Sequence, residues 1–370
     1  MMKTIFCLAA AVTLLLPLTL TAQDKAAESV RVGRKTIVLS SVEGDGKCTQ
    51  MVAPYEVTSN LGELMRVGAT EGIKSLGSLF TQGGTAASGK HKISEPVRAA
   101  AIRMNWLPMP LEVAYGEHYL GVMRDGGMLL ERGGGNAKLY SQADELLALA
   151  LQNVKEPQPY NFQIHIRASN DGNALALPGG FLFLDANLLR NAKNQNLVQL
   201  ALAHEIAHVL RRHETRALQA RIVDTLSLTG GVTDLLNQLQ NITQGSNEIL
   251  KLIVSSKLQF ERHKIDQELQ SDACAVRLAQ GMLNDDARLF AAVSDLLASL
   301  PPPLKTSDPA YQAVSSTKLE DVAAIIDRPV DRHPSTGERQ ALLNAVLQEL
   351  TSAGVRGRTP AKPAPPAKKP

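Results

Sequence analysis

The chain has 370 residues, 44% of them hydrophobic and 20% charged, which is typical of a folded globular protein. Its formal net charge is +3, but Lys3 and five Lys or Arg residues between 356 and 369 lie near the two ends of the chain. Subtracting these six charges leaves the rest of the chain near −3. The sequence therefore has no basic footprint for nucleic acid.

Residues 1–22 have the pattern of a signal peptide, with Lys3, an apolar run from Ile5 to Leu20, and Ala22 at the end. The run of about 16 residues is short for a membrane span. A retained anchor is the alternative, because Leu20 is bulkier than the residue usually found three places before a cleavage site. We expect an exported protein, in the periplasm, with no transmembrane span once the signal is removed.

The next segment, residues 23–92, has no clear structure in its sequence. Short β-branched runs at Val30–Ser41 and Gln50–Thr58 predict strands. Removal of the signal leaves Cys48 and Cys274 as the remaining cysteines, and in an oxidising compartment they could pair. Two cysteines alone do not predict a disulfide framework.

From residue 93 the hydrophobic pattern becomes regular. Ser141–Val154 predicts an amphipathic helix that is capped by Ser141 and has Leu146, Leu149 and Ala150 on one face. Phe162–Ala168 alternates, which predicts a half-buried strand with His165 on its exposed side. Two further strand segments, Ala174–Leu177 and Phe181–Leu184, flank the turn Pro178-Gly179-Gly180.

The apolar run from Leu197 to His213 contains one HExxH motif, His204-Glu205-Ile206-Ala207-His208. On a helix, His204 and His208 lie on one face, so both imidazoles can reach one metal ion. Two imidazoles suit Zn²⁺ better than Ca²⁺ or Mg²⁺. Glu205 can act as the base that takes a proton from water, as in HExxH peptidases. A chance occurrence of the motif is the alternative, and a third ligand is still needed.

A second predicted helix, Ile265–Leu278, carries Glu268 and Asp272 one turn apart. One carboxylate can bind the metal while the other accepts a hydrogen bond from a ligating imidazole. A solvated acidic pair is the alternative. Spacing alone does not decide which carboxylate takes which role.

These motifs in this order resemble the zinc peptidase family that contains HtpX, BepA and the CAAX prenyl endopeptidase. The resemblance covers roughly residues 95–350 and rests on Asn173–Leu184, on HExxH with its trailing Arg-His, and on the Glu268 to Asp272 spacing. It implies Glu268 as the third zinc ligand and Asp272 as the orienting residue, with one Zn²⁺ per chain. One departure is Leu-Gln-Ser between these two residues, where the family often has another Glu and an Ala.

The fold that we expect is helix-rich α+β, a zincin-type metallopeptidase with a small β-sheet beside the two active-site helices. The metallopeptidase domain spans residues 93–353, and the Pro-, Ala- and Lys-rich tail 354–370 has the composition of a disordered segment. The segment Thr215–Phe260, between the two metal-binding helices, predicts a pair of helices that could form a lid or part of the core.

A peptidase holds its substrate extended, and adding it to a sheet edge provides hydrogen bonds that do not depend on sequence. Asn173, Gly179 and Gly180 are our candidate substrate-binding residues for this edge. A buried hairpin without a ligand role is an equal alternative.

His333 lies in an irregular segment because Pro334 disfavours helix at that position, and a helix is expected to begin near Ser335 or Thr336. In the resembling family, similar His-Pro segments lie close to the active site, and in some members the histidine reaches the metal. We therefore expect His333 either to occupy the open zinc position at rest or to stabilise the oxyanion during catalysis. A purely structural role is the alternative.

The predicted function is zinc-dependent endoproteolysis of exported, unfolded or misassembled envelope proteins. Polypeptides are then its substrates, and the envelope assembly machinery is a candidate partner. The alternative from another class is an assembly factor or chaperone with a plugged metallopeptidase site. An aminopeptidase or a toxin with HExxH is disfavoured by the Glu268 to Asp272 and Pro178-Gly-Gly motifs.

Overall fold

The computed structural model describes residues 29–32, 35–38, 51, 105, 107–191, 193, 195–219, 263–308, 310–311 and 333–351. The predictions for the signal peptide, for nearly all of Gln50–Thr58 and Thr215–Phe260, and for the tail lie outside these residues. In order, the described elements are β1 Ser29–Val32, β2 Lys35–Val38, α1 Met109–Asp125, α2 Ala137–Gln152, β3 Gln163–Arg167, β4 Ala174–Leu177, β5 Phe181–Asp185, α3 Ala186–Arg190, α4 Gln195–Leu210, α5 Ile265–Leu283, α6 Asp286–Ser299 and α7 Gly337–Leu350.

A small mixed sheet has the strand order β3-β5-β4, with β3 parallel and β4 antiparallel to β5. Every residue of β4 and β5 is buried, in agreement with their continuous apolar sequence. Gly179 (φ 90°) and Gly180 (φ 94°) form the turn between them, where residues with a side chain would be strained. The predicted hairpin around Pro178-Gly-Gly is therefore confirmed.

The HExxH helix, α4, lies at the centre of the core, because it packs against α5, α6, α2 and strand β4. Leu202, Ile206 and Leu210 are buried on one side of this helix, and Val198 and Leu200, which point to opposite sides, are buried as well. A helix that is apolar all round is typical of such a central position. The helix-rich fold with a small sheet beside two packed helices is confirmed. None of the helices in the described ranges has the length and hydropathy needed to cross a bilayer.

Helix α2 differs from its prediction in both start and face. It begins at Ala137, so Ser141 lies inside the helix and is not its cap. The buried positions are Tyr140, Ala143, Leu147 and Ala150, whereas Leu146 and Leu149 are only partly buried. The Tyr140 hydroxyl donates to Leu130 O at 2.7 Å, and this tertiary contact decides which face is buried.

The prediction that His165 is exposed is wrong. The residue is half-buried, and its ring centroid lies 5.5 Å from that of Phe183 on the neighbouring strand. The outer side of β3 is covered by the preceding segment, where Leu130 N donates to Ile166 O and Ala168 N donates to Met128 O. Burial lowers the pKa of His165 to about 4.

The N-terminal run Val30–Ser41 contains two antiparallel strands, β1 and β2, and not one strand. Strand β1 packs against α5 and α7, and β2 packs against α7. Part of the 23–92 segment therefore contacts the helix that carries Glu268. That helix also contains Cys274, which is fully buried and disulfide-bonded.

Candidate metal centre

Two packed helices bring the predicted ligands together. His204 and His208 are buried one turn apart on α4, and Glu268 is buried on α5. The Nε2 atoms of the two histidines are 2.9 Å apart. Glu268 Oε2 lies 3.6 Å from His204 Nε2, and Glu268 Oε1 lies 3.4 Å from His208 Nε2. The three side chains therefore aim their ligand atoms at one point.

These distances fit a zinc ion. Zinc binds imidazole nitrogen and carboxylate oxygen at about 2.0–2.2 Å, so two ligand atoms of one ion lie no more than about 4 Å apart. His333 also belongs to the group, and one ligand atom from each of the four residues lies within 4.8 Å of the others. Two or three neutral imidazoles and one carboxylate are a ligand set that suits zinc.

Asp272 lies behind the ring of His204. Its Oδ1 atom lies 2.9 Å from His204 Nδ1, on the side of the ring away from the ligand cluster. Arg339, from α7, donates to both Asp272 oxygens at 2.6 and 3.0 Å, and its Nη1 lies 2.8 Å from Glu268 Oε2. Arg339 thus joins the ligand carboxylate to the orienting carboxylate.

Burial and charge oppose each other in this group. Burial alone would raise the pKa of Glu268 and of Asp272, but the Arg339 guanidinium and the neighbouring histidines together outweigh burial and lower both. Burial alone would lower the pKa of His204, yet Asp272 and Glu268 raise it to about 9. Burial and His263 lower the pKa of His208 well below its usual value.

Glu205 is buried beside the cluster without contributing a ligand atom to it. Its Oε2 atom has no hydrogen-bond partner among the described residues, and Oε1 lies 3.4 Å from His333 Nε2. A buried carboxylate oxygen without a partner is unfavourable unless something else, such as a water or a substrate, binds it. This is the arrangement that a general base beside the metal requires.

His333 reaches the cluster from the segment that precedes α7. Its Nδ1 atom lies 2.9 Å from Glu268 Oε1 and 3.4 Å from His204 Nε2. The Thr336 hydroxyl accepts from Arg339 N and caps α7, which begins at Gly337 as expected. Arg339 Nη1 also donates to His333 O at 3.2 Å, so one arginine contacts Asp272, Glu268 and the histidine segment.

The substrate-binding candidates lie at the two ends of β4 and contact the scaffold. Asn173 N donates to Asp185 Oδ2 at 2.7 Å, and Gly179 N donates to Glu112 Oε1 at 3.2 Å. A Cβ on Gly180 would lie 3.3 Å from Tyr160 Cβ, so this glycine allows close packing. The described hydrogen bonds of these residues do not lead to the histidine cluster.

Three residues of the site were not assigned a role from sequence. Arg339 is the first, and its position six residues after His333 was the available signal. His263 is fully buried and stacks on His208 with ring centroids 3.8 Å apart, just before the helix that carries Glu268. His213, the trailing histidine of the motif, has its Nδ1 atom 3.0 Å from His208 Nδ1. Burial and His263 lower the pKa of His213 to about 3.

Comparison with known proteins agrees with this geometry. Residues 135–346, more than half of the chain, match the model of peptidase family M48. The mitochondrial metalloendopeptidase OMA1 of Schizosaccharomyces pombe is 31% identical over 115 residues, which are 30% of this chain and 34% of that protein. The beta-barrel assembly-enhancing protease of Escherichia coli K12 is 28% identical over 108 residues, 29% of this chain and 21% of that protein.

The matches cover about a fifth to a third of the length of these curated relatives. The family match is longer, and it contains HExxH and both carboxylates of the second helix. The chain belongs to peptidase family M48, a family of metallopeptidases.

Proposed function

We propose that this protein is a zinc-dependent endopeptidase that acts on exported, unfolded or misassembled polypeptides. The observation that carries the proposal is the buried cluster of His204, His208 and Glu268 beside a carboxylate oxygen of Glu205 without a described partner. Metal ligands and a general base in this arrangement are what hydrolysis of a peptide bond requires.

Each residue has a distinct role in this proposal. His204, His208 and Glu268 would hold one zinc ion, which when bound supplies the Lewis acid that polarises the scissile carbonyl. Glu205 takes a proton from the attacking water and later donates it to the leaving amine. Asp272 Oδ1 lies 2.9 Å from His204 Nδ1 and would keep the Nε2 lone pair directed at the cluster. Arg339 contacts the carboxylates of Asp272 and Glu268 and fixes their relative positions.

The substrate and the compartment are further parts of the proposal. The composition of residues 1–22 supports export to the periplasm, where unfolded or misassembled envelope proteins would be the substrates. Asn173, Gly179 and Gly180 remain the candidate residues for binding an extended chain, because β4 stands at one end of the sheet order.

The test combines metal analysis with cleavage of casein and of an unfolded outer-membrane protein, each with and without chelator. The wild type should hold about one zinc per chain and lose cleavage when chelated. Glu205→Gln should retain the zinc but lose about 10²–10⁴-fold in rate, because only the base is removed. Glu268→Ala should lose the zinc. Equal zinc in the Glu205 and Glu268 variants would remove Glu268 from the ligand set.

The second candidate function is an envelope assembly factor whose peptidase site is plugged. The position of His333 inside the ligand cluster favours it, since an imidazole there occupies the place that substrate and water need. A chaperone has no need of a general base. Full activity of Glu205→Gln in complementation of a deletion strain would therefore favour the assembly factor, and loss would favour the peptidase.

A further inference from the structure

The two ligating histidines have different partners behind their rings. His204 Nδ1 faces the carboxylate of Asp272, whereas His208 Nδ1 faces another imidazole, that of His213, at 3.0 Å. A histidine that binds a metal through Nε2 carries its proton on Nδ1 and needs an acceptor there. We propose that His213 is this acceptor when His208 binds a metal, and that the orientation of the Gln270 amide controls whether His213 can accept. The inference rests on the proposed function of His208 as a metal ligand.

A break in the backbone brings His213 to this position. Helix α4 ends at Leu210, and Arg212 adopts a left-handed conformation with φ 54°. This conformation is uncommon for a residue with a side chain and costs about 1–2 kcal/mol. The buried guanidinium of Arg212 is held by Glu112, with Nε donating to Oε2 at 3.0 Å. The chain turns there, and His213 packs behind His208 with ring centroids 4.9 Å apart.

The other nitrogen of His213 faces the side-chain amide of Gln270 on α5, with Nε2 and Oε1 2.9 Å apart. The same amide also faces Arg211, whose Nε and Nη2 can only donate and lie 3.2 and 3.0 Å from its second polar atom. With the amide turned over, its oxygen accepts from Arg211 and its nitrogen donates to His213 Nε2. The amide has one oxygen, so that oxygen accepts from either His213 or Arg211. The residues thus form a relay from Arg211 through Gln270 and His213 to His208.

Only one proton arrangement of the relay permits metal binding. If the Gln270 oxygen faces His213, it accepts from a proton on His213 Nε2. The Nδ1 lone pair of His213 then accepts from His208 Nδ1–H, and His208 Nε2 keeps its lone pair for the metal. If the oxygen faces Arg211, the amide N–H donates to His213 Nε2, and the proton on His213 Nδ1 forces that of His208 onto Nε2. Ser271 Oγ, 3.2 Å from His213 Nδ1, can turn its hydroxyl to suit either arrangement.

The orientation of Gln270 is therefore a control on metal affinity. Replacing its amide with a carboxylate gives two acceptor oxygens, which can accept from Arg211 and from His213 Nε2–H at once. Such a residue lacks the amide N–H donor on which the arrangement without metal binding depends. If Gln270 had only a structural role, this buried substitution would perturb packing and weaken zinc binding.

The experiment measures the Kd for zinc by chelator competition and the visible absorption of the Co²⁺-loaded protein. His213→Ala should weaken zinc binding by about 10–100-fold and alter the Co²⁺ spectrum. His213→Asn, which offers an acceptor oxygen near the position of Nδ1, should recover most of that loss. Gln270→Glu should bind zinc more tightly than the wild type. In the His213→Ala background Gln270→Glu should give no gain, because the gain passes through the imidazole.

The outcomes separate this inference from the proposed function. A wild type that binds no zinc overturns the proposed function and the inference with it. If the wild type binds zinc and a folded His213→Ala protein binds it with the same affinity, the inference alone is overturned. If His213→Ala does not fold, the remaining variants decide. Weaker zinc binding by Gln270→Glu also overturns it. So does a gain from Gln270→Glu that persists in the His213→Asn background, where the imidazole is absent.

Discussion

At the scale of single residues, the metal centre depends on charges buried together. Arg339 has 3% of its surface exposed and Asp272 has 1%, and their side chains make two hydrogen bonds. Removing one partner of such a buried pair leaves the other without compensation, which is strongly unfavourable. Here Arg339 also contacts Glu268, so the pair connects the orientation of His204 with the position of a ligand oxygen.

Asp272→Ala tests this connection. We expect zinc affinity or peptidase activity to fall by about 10–100-fold, because His204 Nδ1 loses its acceptor. The metal-free protein should remain folded, since Arg339 retains its contact with Glu268. Circular dichroism checks the folding, and Asp295→Ala, an exposed carboxylate on α6, is the control and should leave zinc affinity unchanged. A fully active Asp272→Ala protein would contradict the orienting role.

His333→Ala tests the role of the histidine that enters the ligand group. Because His333 Nδ1 lies 3.4 Å from His204 Nε2 and 2.9 Å from Glu268 Oε1, we expect it to compete for the position that water and substrate use. Its removal should raise the rate of casein cleavage, measured at saturating zinc. A fall of about 10²-fold or more would instead assign oxyanion stabilisation to His333. An unchanged rate would leave it a structural role.

At the scale of elements, Glu112 connects α1 with the β4–β5 turn and with the segment that follows the HExxH helix. It accepts from Tyr160 Oη at 3.0 Å and from Gly179 N at 3.2 Å, and it accepts from Arg212 Nε just after the end of α4. The buried carboxylate therefore contacts the backbone turn that precedes His213. The closeness of α1 to the turn requires glycine at the point of contact.

Gly116→Ala tests the contact between α1 and the turn. A Cβ at Gly116 would lie 2.2 Å from Pro178 O and 2.3 Å from the Phe181 ring. We expect the free energy of unfolding in urea to fall by about 1–3 kcal/mol, because the overlap outweighs the gain in helix propensity. Gly121→Ala is the matched control on the same helix, where a Cβ meets nothing within 4 Å. It should stabilise by up to about 1 kcal/mol, and equal effects of the two variants would contradict the predicted contact.

The elements also show what sequence patterns could and could not predict. The two helices that carry the candidate ligands and the Pro178-Gly-Gly hairpin were predicted because spacing and turn residues are local signals. The buried face of α2 was not, because Tyr140 is directed by a contact with Leu130. The left-handed Arg212 could not be predicted either, since its anchor, Glu112, lies 100 residues away in the sequence. The roles of His213 and Arg339 depend on these tertiary contacts.

At the scale of the whole molecule, the N-terminal hairpin contacts the helices that carry Glu268 and Arg339. The β1–β2 hairpin packs against α5 and α7, the helices that carry Glu268 and Arg339. Cys274, two residues after Asp272 and fully buried, is disulfide-bonded. The chain contains only two other cysteines, Cys7 and Cys48, both outside the described residues. Since Cys7 lies in the predicted signal peptide, we propose Cys48 as the partner.

A cysteine variant series tests this pairing. The purified mature protein should contain no reactive thiol when denatured, and two after reduction. Cys48→Ser and Cys274→Ser should each lower the free energy of unfolding by about 2–4 kcal/mol, because either one opens the same covalent loop. The double variant should lose little more than either single one, since a shared bond cannot be removed twice. Additive losses, or a free thiol in the denatured wild type, would show that Cys274 and Cys48 are not joined. Zinc content measured in parallel shows whether the bond also holds α5 in the position that metal binding requires.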